Sequence, residues 1–72
     1  MNKEFTIIVE RDPESGWLVG EVAELPGCYT QAKDTVELEK NIREAIQVYL
    51  ETPSDAQPFP QFVGLQRIEV AV

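Results

Sequence analysis

Cysteine, serine and threonine side chains are the first groups in this sequence that could do covalent chemistry. The 72 residues contain a single cysteine, Cys28, and no histidine. A catalytic cysteine reacts as a thiolate, which a neighbouring histidine commonly helps to form. Without such a base, Cys28 is expected to be a small buried apolar residue. Ser15 and Thr35 lack a base for the same reason, so we predict no nucleophilic catalysis.

Carboxylates offer a second kind of chemistry, because several of them converging on metal ions can support hydrolysis. Glu10, Asp12, Glu21 and Glu24 are close enough in sequence to be considered. Two of them lie in or beside a turn, where acidic side chains are usually solvated. With no histidine and one cysteine, the usual nitrogen and sulfur ligands of zinc are also too few to form a site. We therefore predict that the protein is not an enzyme and has no metal site and no cofactor.

The charge balance limits the class of partner. Thirteen acidic and six basic residues give a formal net charge of −7. Such a surface repels phosphate backbones, so we predict no direct nucleic-acid binding. A basic protein partner would be attracted, although negative charge can also serve only solubility. No segment is long and apolar enough to span a membrane, and one unpaired cysteine fits a reducing compartment. We expect a cytoplasmic protein without membrane contact.

The elements that must position any site follow from hydrophobic periodicity. Short apolar, β-branched runs predict strands, and a longer run with apolar residues every three or four positions predicts a helix. The predicted order is β-β-β-α-β, an α+β fold in which one helix covers one face of an antiparallel sheet. The predicted strands are residues 5–9, 17–22, 28–31 and 65–72, and the helix runs from near Asp34 to near Glu51.

Local signals fix the ends of the helix. Asp34 is a good N-cap residue, and Glu37 follows three positions later as in a capping box. Pro53 ends the helix near Glu51. The apolar stripe that would face the sheet consists of Leu38, Ile42, Ala45, Ile46, Tyr49 and Leu50. Residues 52–64 are expected to form a loop, held in place by Phe59 and Phe62.

The opposite face of the sheet is unusually apolar for a face exposed to water. By strand alternation, Ile8, Trp17, Val19 and Tyr29 project from it. A contiguous apolar patch is typical of an interaction surface, so we predict that these four residues bind a partner. Glu37 and Glu44, seven residues apart on the helix, are added as candidates for contact with a basic protein. Because so short a chain buries a small core, we also expect a homo-oligomer, most simply a dimer.

One stretch carries a resemblance to a known family. Residues 24–31 read Glu-Leu-Pro-Gly-Cys-Tyr-Thr-Gln, after a strand and an acidic turn that ends at Gly16, with Trp17 opening the second strand. This pattern, together with the segment Asn41-Ile42-Arg43-Glu44-Ala45-Ile46 of the predicted helix, resembles the HicB family of antitoxins. The resemblance implies a partial RNase H-like fold over a single domain, residues 1–72. It would be a short form without the DNA-binding domain that follows in many members.

Two functions remain open at this stage. The resemblance implies an antitoxin-type binding module that neutralises a small basic HicA-type toxin, an RNA-cutting protein, by occluding its active site. The alternative is an orphan domain of the same fold that self-associates and has a regulatory or structural role without a toxin partner. A small basic protein with one catalytic histidine, encoded in the neighbouring reading frame, would favour the first.

Overall fold

A three-stranded antiparallel sheet and one helix make up the regular structure. The computed structural model describes residues 3–51 and 59–72. Its elements are β1 (Ile7–Arg11), β2 (Leu18–Val22), β3 (Tyr29–Ala32) and α1 (Thr35–Glu51). The strands lie in the order β1-β2-β3, and both pairings are antiparallel. The predicted α+β class, with a helix following three strands, is confirmed, and the strand ends move by two residues at most.

The fourth predicted strand is not formed. Residues 65–72 alternate apolar and polar side chains as expected, but the structure assigns no strand anywhere in residues 59–72. Alternation alone does not make a strand, because the backbone groups of an isolated extended segment need a hydrogen-bonded neighbour. The prediction was therefore wrong for this chain on its own. Part of the predicted loop, residues 52–58 with Pro53, lies outside the described residues.

The core lies between the sheet and the inner side of α1. Its buried apolar residues come from β2, the turn after it, β3 and the helix: Leu18, Val22, Leu25, Cys28, Ala32, Leu38 and Ile42. Ala45, Ile46 and Tyr49 pack against this cluster from the later turns of the helix. Leu50 was predicted to belong to the same stripe, yet it is exposed. At 100° per residue it has rotated too far from Tyr49 to reach the sheet.

The N-cap predicted for the helix is confirmed, and a glycine on the sheet explains how closely the helix packs. The Asp34 carboxylate accepts the backbone N–H of Glu37 at 2.8 Å, which is the N-cap bond. Gly20 on β2 allows the helix to approach closely, because a Cβ atom placed there would lie 3.1 Å from Ile42 Cδ1 and 3.2 Å from Ile7 Cγ2. The absence of a side chain at Gly20 therefore sets the depth at which Ile42 packs.

The hairpin loop between β1 and β2 is built around Asp12. Its side chain accepts the backbone N–H of Glu14 at 2.8 Å, and its carbonyl oxygen accepts that of Gly16 at 2.9 Å. Gly16 has a φ of 77°, a conformation that favours glycine. The Asp12 carboxylate is therefore used for turn formation, as an aspartate commonly is.

Candidate partner-binding surface

The Pro-Gly turn aligns the two strands that carry most of the candidate surface. Leu25, Pro26, Gly27 and Cys28 form a turn closed by a 3.0 Å hydrogen bond from the Cys28 N–H to the Leu25 carbonyl. Gly27 has a φ of 82°, as the third position of a type II turn requires, and proline suits the second. A further bond from the Val22 N–H to the Cys28 carbonyl, 2.9 Å long, sets the start of the β2–β3 pairing.

Two side chains tie this turn to the rest of the domain. The Tyr49 hydroxyl donates a hydrogen bond to the Pro26 carbonyl oxygen at 3.0 Å, which joins the helix to the turn. The Glu24 carboxylate accepts the backbone N–H of Thr6 at 2.7 Å, which joins the approach to β1 to the end of β2. That hydrogen bond holds the pKa of Glu24 below its usual value, against a smaller opposing effect of desolvation.

Cys28 is structural, in agreement with the sequence. Its side chain is buried in the core cluster, and burial raises the pKa of its thiol. A raised pKa reduces the thiolate fraction at neutral pH, which is the reverse of what a nucleophile needs. The motif containing Cys28 therefore serves to shape the turn and fill the core.

The strand register places the predicted apolar residues on the outer face of the sheet, the face opposite α1. Ile8 pairs with Glu21, and Glu21 pairs with Tyr29, so these three residues form one row across the sheet. Glu10, Val19 and Gln31 form the next row in the same way. Since side chains alternate along a strand, both rows point away from the helix. Ile8 and Val19 are half-buried, while Tyr29 is 68% exposed.

Trp17 extends this outer face by one more row. It immediately precedes β2, and its side chain is 37% exposed. The Lys33 ammonium lies 5.6 Å from the centre of the Trp17 ring, within the range of a cation–π contact. Lys33 follows β3 and lies on the same side of the sheet as Gln31. Its side chain therefore meets that of Trp17 on the neighbouring strand. The outer face thus consists of Ile8, Trp17, Val19 and Tyr29, with Glu10, Glu21 and Lys33 among them.

The two predicted helix residues are not part of the outer face. Glu37 lies in the first turn of α1 and Glu44 near its middle, on the other side of the sheet. Glu44 lines a groove of about 490 Å³ that runs between α1 and β3. The tertiary structure therefore brings four of the six candidate residues together on the outer face. The two glutamates lie on α1, and Glu44 lines the same groove as Tyr29.

Sequence reasoning missed two features. The first is Lys33, which the alternation of β3 could have placed beside Trp17. The second is an apolar groove of about 420 Å³ between β1 and α1. Its apolar lining comes from Phe5, Ile7, Val9, Leu38, Ile42 and Ile46. β1 forms the border of the sheet, and nothing among the described residues closes the gap beside it.

Residues 3–51 and 59–72 hold no group of three or more cysteine or acidic side chains that could bind a metal ion. Within the same ranges, no helix has the length and hydrophobicity needed to cross a membrane. What the described surface does present is an apolar sheet face bordered by carboxylates.

Comparison with known proteins agrees with the resemblance seen in the sequence. The family model described as HicB-like antitoxin of bacterial toxin–antitoxin system matches residues 5–70. A UPF0150 protein of Archaeoglobus fulgidus is 44% identical over 66 residues, covering 92% of this chain and 93% of that protein. A UPF0150 protein of Synechocystis sp. is 42% identical over 71 residues, covering 97% of this chain and 100% of that one. No solved structure shows a significant match to this chain.

Proposed function

Because the chain belongs to the HicB-like antitoxin family of bacterial toxin–antitoxin systems, we propose that it neutralises a HicA-type, RNA-cutting toxin by occluding the active site of that toxin. Family membership supports an antitoxin-type role and implies a toxin as the partner. The identity of the toxin, its basic character and the occlusion mechanism are the content of the proposal.

The outer face of the sheet is the observation that carries the proposal. Trp17 and Tyr29 are large, partly exposed aromatics on a rigid sheet, with Val19 in the row between them and Ile8 on the neighbouring strand β1. Aromatic residues near the centre of an interface tend to contribute most of its free energy. None of the four is needed to fill the main core cluster, so their exposure has a simpler explanation in binding than in folding.

Charge complementarity supports a basic partner. An RNA-cutting enzyme must attract a polyanionic substrate, so its active-site surface is expected to be positive. Glu10 and Glu21 lie on the outer face, and the chain carries a formal net charge of −7. A negatively charged, apolar face can cover a positive active site and exclude RNA by occupying the same space. The antitoxin then needs no catalytic group of its own, which agrees with the chemistry of its residues.

The test uses the protein encoded in the reading frame next to this chain, which the proposal expects to be small and basic. Growth of cells expressing that protein, and cleavage of RNA by it in vitro, are measured with increasing amounts of the antitoxin. We expect stoichiometric inhibition by the unaltered chain, and a large loss of inhibition for Trp17→Ala and Tyr29→Ala. Val36→Ser is the matched control, because Val36 is an exposed apolar residue on the helix, away from the outer face. Undiminished RNA cleavage at a molar excess of the chain would contradict the proposal.

A second candidate is an orphan, self-associating domain without a toxin. Its support is specific: Val63, Leu65, Ile68, Val70 and Val72 are all exposed in the chain on its own. The two functions differ in what the outer face does. If the chain is such an orphan domain, the unaltered chain does not inhibit the RNA-cutting protein. Trp17→Ala then has no effect in the assay above, because there is no inhibition to lose.

A further inference from the structure

Strand β3 forms a border of the sheet and turns one row of its backbone groups outward. Among the described residues β3 pairs with β2 alone. The Val22 N–H donates to the Cys28 carbonyl at 2.9 Å, so the Cys28 carbonyl faces β2. Because the direction alternates along an antiparallel strand, the backbone groups of Tyr29 and Gln31 face away from β2. Such a row of donors and acceptors can pair with a further strand.

A contact from the helix supports this assignment of direction. The Asn41 side chain on α1 donates a hydrogen bond to the Gln31 carbonyl oxygen at 3.4 Å, so that oxygen is directed away from β2. A carbonyl oxygen has two lone pairs, and this long bond leaves capacity for a second donor. No other side-chain or turn hydrogen bond in the described part of the chain involves the backbone of Tyr29 or Gln31.

The groove of about 490 Å³ between β3 and α1 lies directly beside this border. We call it the β3 groove. Ala45, Val48 and Tyr49 supply the helix side of its apolar lining. A strand that pairs with β3 would direct every second side chain toward the helix and into this groove, and the others toward the outer face. The border therefore offers both backbone pairing and a recess for side chains, which are the two components of recognition by strand addition.

The charge at the β3 groove selects the chemistry of its occupant. Glu44 is the single charged side chain among the described residues that line it. Lys40, four positions earlier on α1, could neutralise Glu44, but the ion pair found in the described part of the chain joins Arg43 to Glu39 instead. The Glu44 side chain is thus exposed and without an ion-pair partner among those residues. A lysine or arginine side chain of a partner would complement it.

A second copy of this chain is a poorer occupant. Two β3 strands paired about a two-fold axis would bring two β3 grooves, each with its Glu44, to the same junction. Each chain also carries a formal net charge of −7, so the pairing would juxtapose like charges. A basic protein meets the opposite condition. The proposed function names such a protein, the RNA-cutting toxin, and the present inference rests on that proposal.

Tyr29 connects the border to the outer face. Its backbone lies at the border, its side chain is 68% exposed, and it lines the β3 groove as well. A strand added beside β3 would extend the sheet, so the outer face would continue into the partner. β3 has four residues and carries neither a proline nor a charged side chain, two features that commonly protect a border. An extended segment of similar length is what this border can bind.

We propose that β3 binds an extended segment of the toxin as an added strand, and that a lysine or arginine of this segment forms an ion pair with Glu44 in the β3 groove. The pairing uses the outward backbone groups of Tyr29 and Gln31. Apolar side chains of the same segment pack on Ala45 and Tyr49. The backbone bonds hold the toxin against the outer face, and the contact with Glu44 selects a basic partner.

Hydrogen exchange of backbone amides tests the pairing in the unaltered chain. The probe is the protein encoded in the neighbouring reading frame. When it is added, exchange at the Tyr29 and Gln31 amides should slow by at least about 10-fold, because they become hydrogen-bonded. The Val36 amide is the internal control. It lies in the first turn of α1 without a hydrogen bond among the described residues, and its exchange should not change. Binding without added protection of Tyr29 and Gln31 would overturn the inference.

Two matched pairs of variants test the backbone and the charge separately. Gln31→Pro removes the outward N–H, which a border strand tolerates, and Gln31→Ala keeps that N–H. Glu44→Lys reverses the charge in the β3 groove, and Glu51→Lys makes the same change on α1 outside the groove lining. Gln31→Pro and Glu44→Lys should each raise the Kd for the neighbouring protein by at least about 10-fold over their controls. Equal Kd values within either pair would contradict the inference. Circular dichroism confirms that each variant is folded.

The outcomes separate this inference from the proposed function. If the unaltered chain inhibits RNA cleavage while both variants bind as tightly as their controls, the toxin is held without pairing at β3, and only the inference is wrong. If the unaltered chain neither binds nor inhibits the neighbouring protein, the proposed function is wrong and the inference falls with it. Self-association that Gln31→Pro abolishes and Gln31→Ala preserves would place a second copy at β3, which also overturns the inference.

Discussion

The hydroxyl of Tyr49 donates a 3.0 Å hydrogen bond to the carbonyl oxygen of Pro26. The two residues are far apart in sequence, and the bond connects the last turns of α1 to the turn that joins β2 and β3. Both strands that carry Trp17, Val19 and Tyr29 meet at this turn. The helix on the inner side therefore helps to hold the geometry of the outer face, although it does not contribute to that face.

Tyr49→Phe is expected to lower the free energy of unfolding by about 1 kcal/mol, because it removes the hydrogen bond and keeps the ring. The contact with Phe59 should persist. Urea unfolding followed by circular dichroism measures the change. Tyr29→Phe is the matched control, because the Tyr29 hydroxyl has no hydrogen bond in the described part of the chain. Equal effects of the two substitutions would show that the Tyr49 bond contributes nothing.

Gly27→Val is expected to destabilise the turn through its backbone conformation alone. A φ of 82° is unfavourable for a β-branched residue, and a Cβ at this position would have no atom within 4 Å. The cost should therefore be about 1–3 kcal/mol of strain without a steric clash. Gly27→Asn is the control, since asparagine tolerates this conformation better. A thermal midpoint that falls by the same amount for both variants would contradict this interpretation.

Leu25→Ala is expected to unfold the domain, whereas Trp17→Ala is expected to leave it folded. Leu25 is 1% exposed and belongs to the core, so its truncation should cost about 2–5 kcal/mol, enough to unfold most molecules of so small a domain. Trp17 is partly exposed on the outer face, and its truncation should leave the helical circular dichroism signal intact. If Trp17→Ala unfolds the protein as Leu25→Ala does, then Trp17 is a folding residue and the interface prediction fails.

Glu24 gives the stability of the domain a defined dependence on pH. The hydrogen bond from Thr6 lowers the pKa of the folded carboxyl below its usual 4.5. The folded state therefore favours the ionised form, and the resulting stabilisation is present above pH 4.5 and is lost as the pH falls through the folded pKa. The difference in unfolding free energy between the unaltered chain and Glu24→Gln should be largest near neutral pH and should shrink in acid. Urea unfolding at several pH values measures it.

Glu4→Gln serves as the control for that comparison, because it removes the same charge from an exposed position before β1. A difference between the unaltered chain and Glu24→Gln that stays constant from neutral pH to strong acid would mean that the Thr6 bond does not depend on the ionised carboxylate.

Charge reversal at Glu37 and Glu44 is expected to slow the capture of a basic toxin and weaken its dependence on salt. Because both residues lie on α1, away from the outer face, they should act at long range on the association rate. Glu37→Lys alone should change dissociation little, whereas Glu44→Lys should also speed dissociation, because Glu44 lines the β3 groove. Stopped-flow binding at two salt concentrations separates the two rates, with Val36→Ser as the uncharged control. A main effect of Glu37→Lys on dissociation would place the toxin against the first turns of the helix instead of the outer face.

Local rules were sufficient for much of this protein. The Asp34 cap and the alternation of β2 each depend on residues that are close in sequence, and each was predicted correctly. The burial of Cys28 was also predicted correctly. A chain without histidine has no conventional base to activate a cysteine, which left a structural role as the simpler expectation. The resemblance in residues 24–31 also pointed to the family that the comparisons support.

Tertiary structure decided what depends on distant neighbours. Residues 65–72 have the pattern of a strand, but they form none in the single chain, because strand formation needs a paired backbone. The contact between Lys33 and Trp17 and the open groove beside β1 likewise depend on which strand lies next to which. Sequence periodicity determines which face of an element is apolar. Only the packed arrangement of strands and helix decides whether that face is covered, and by what.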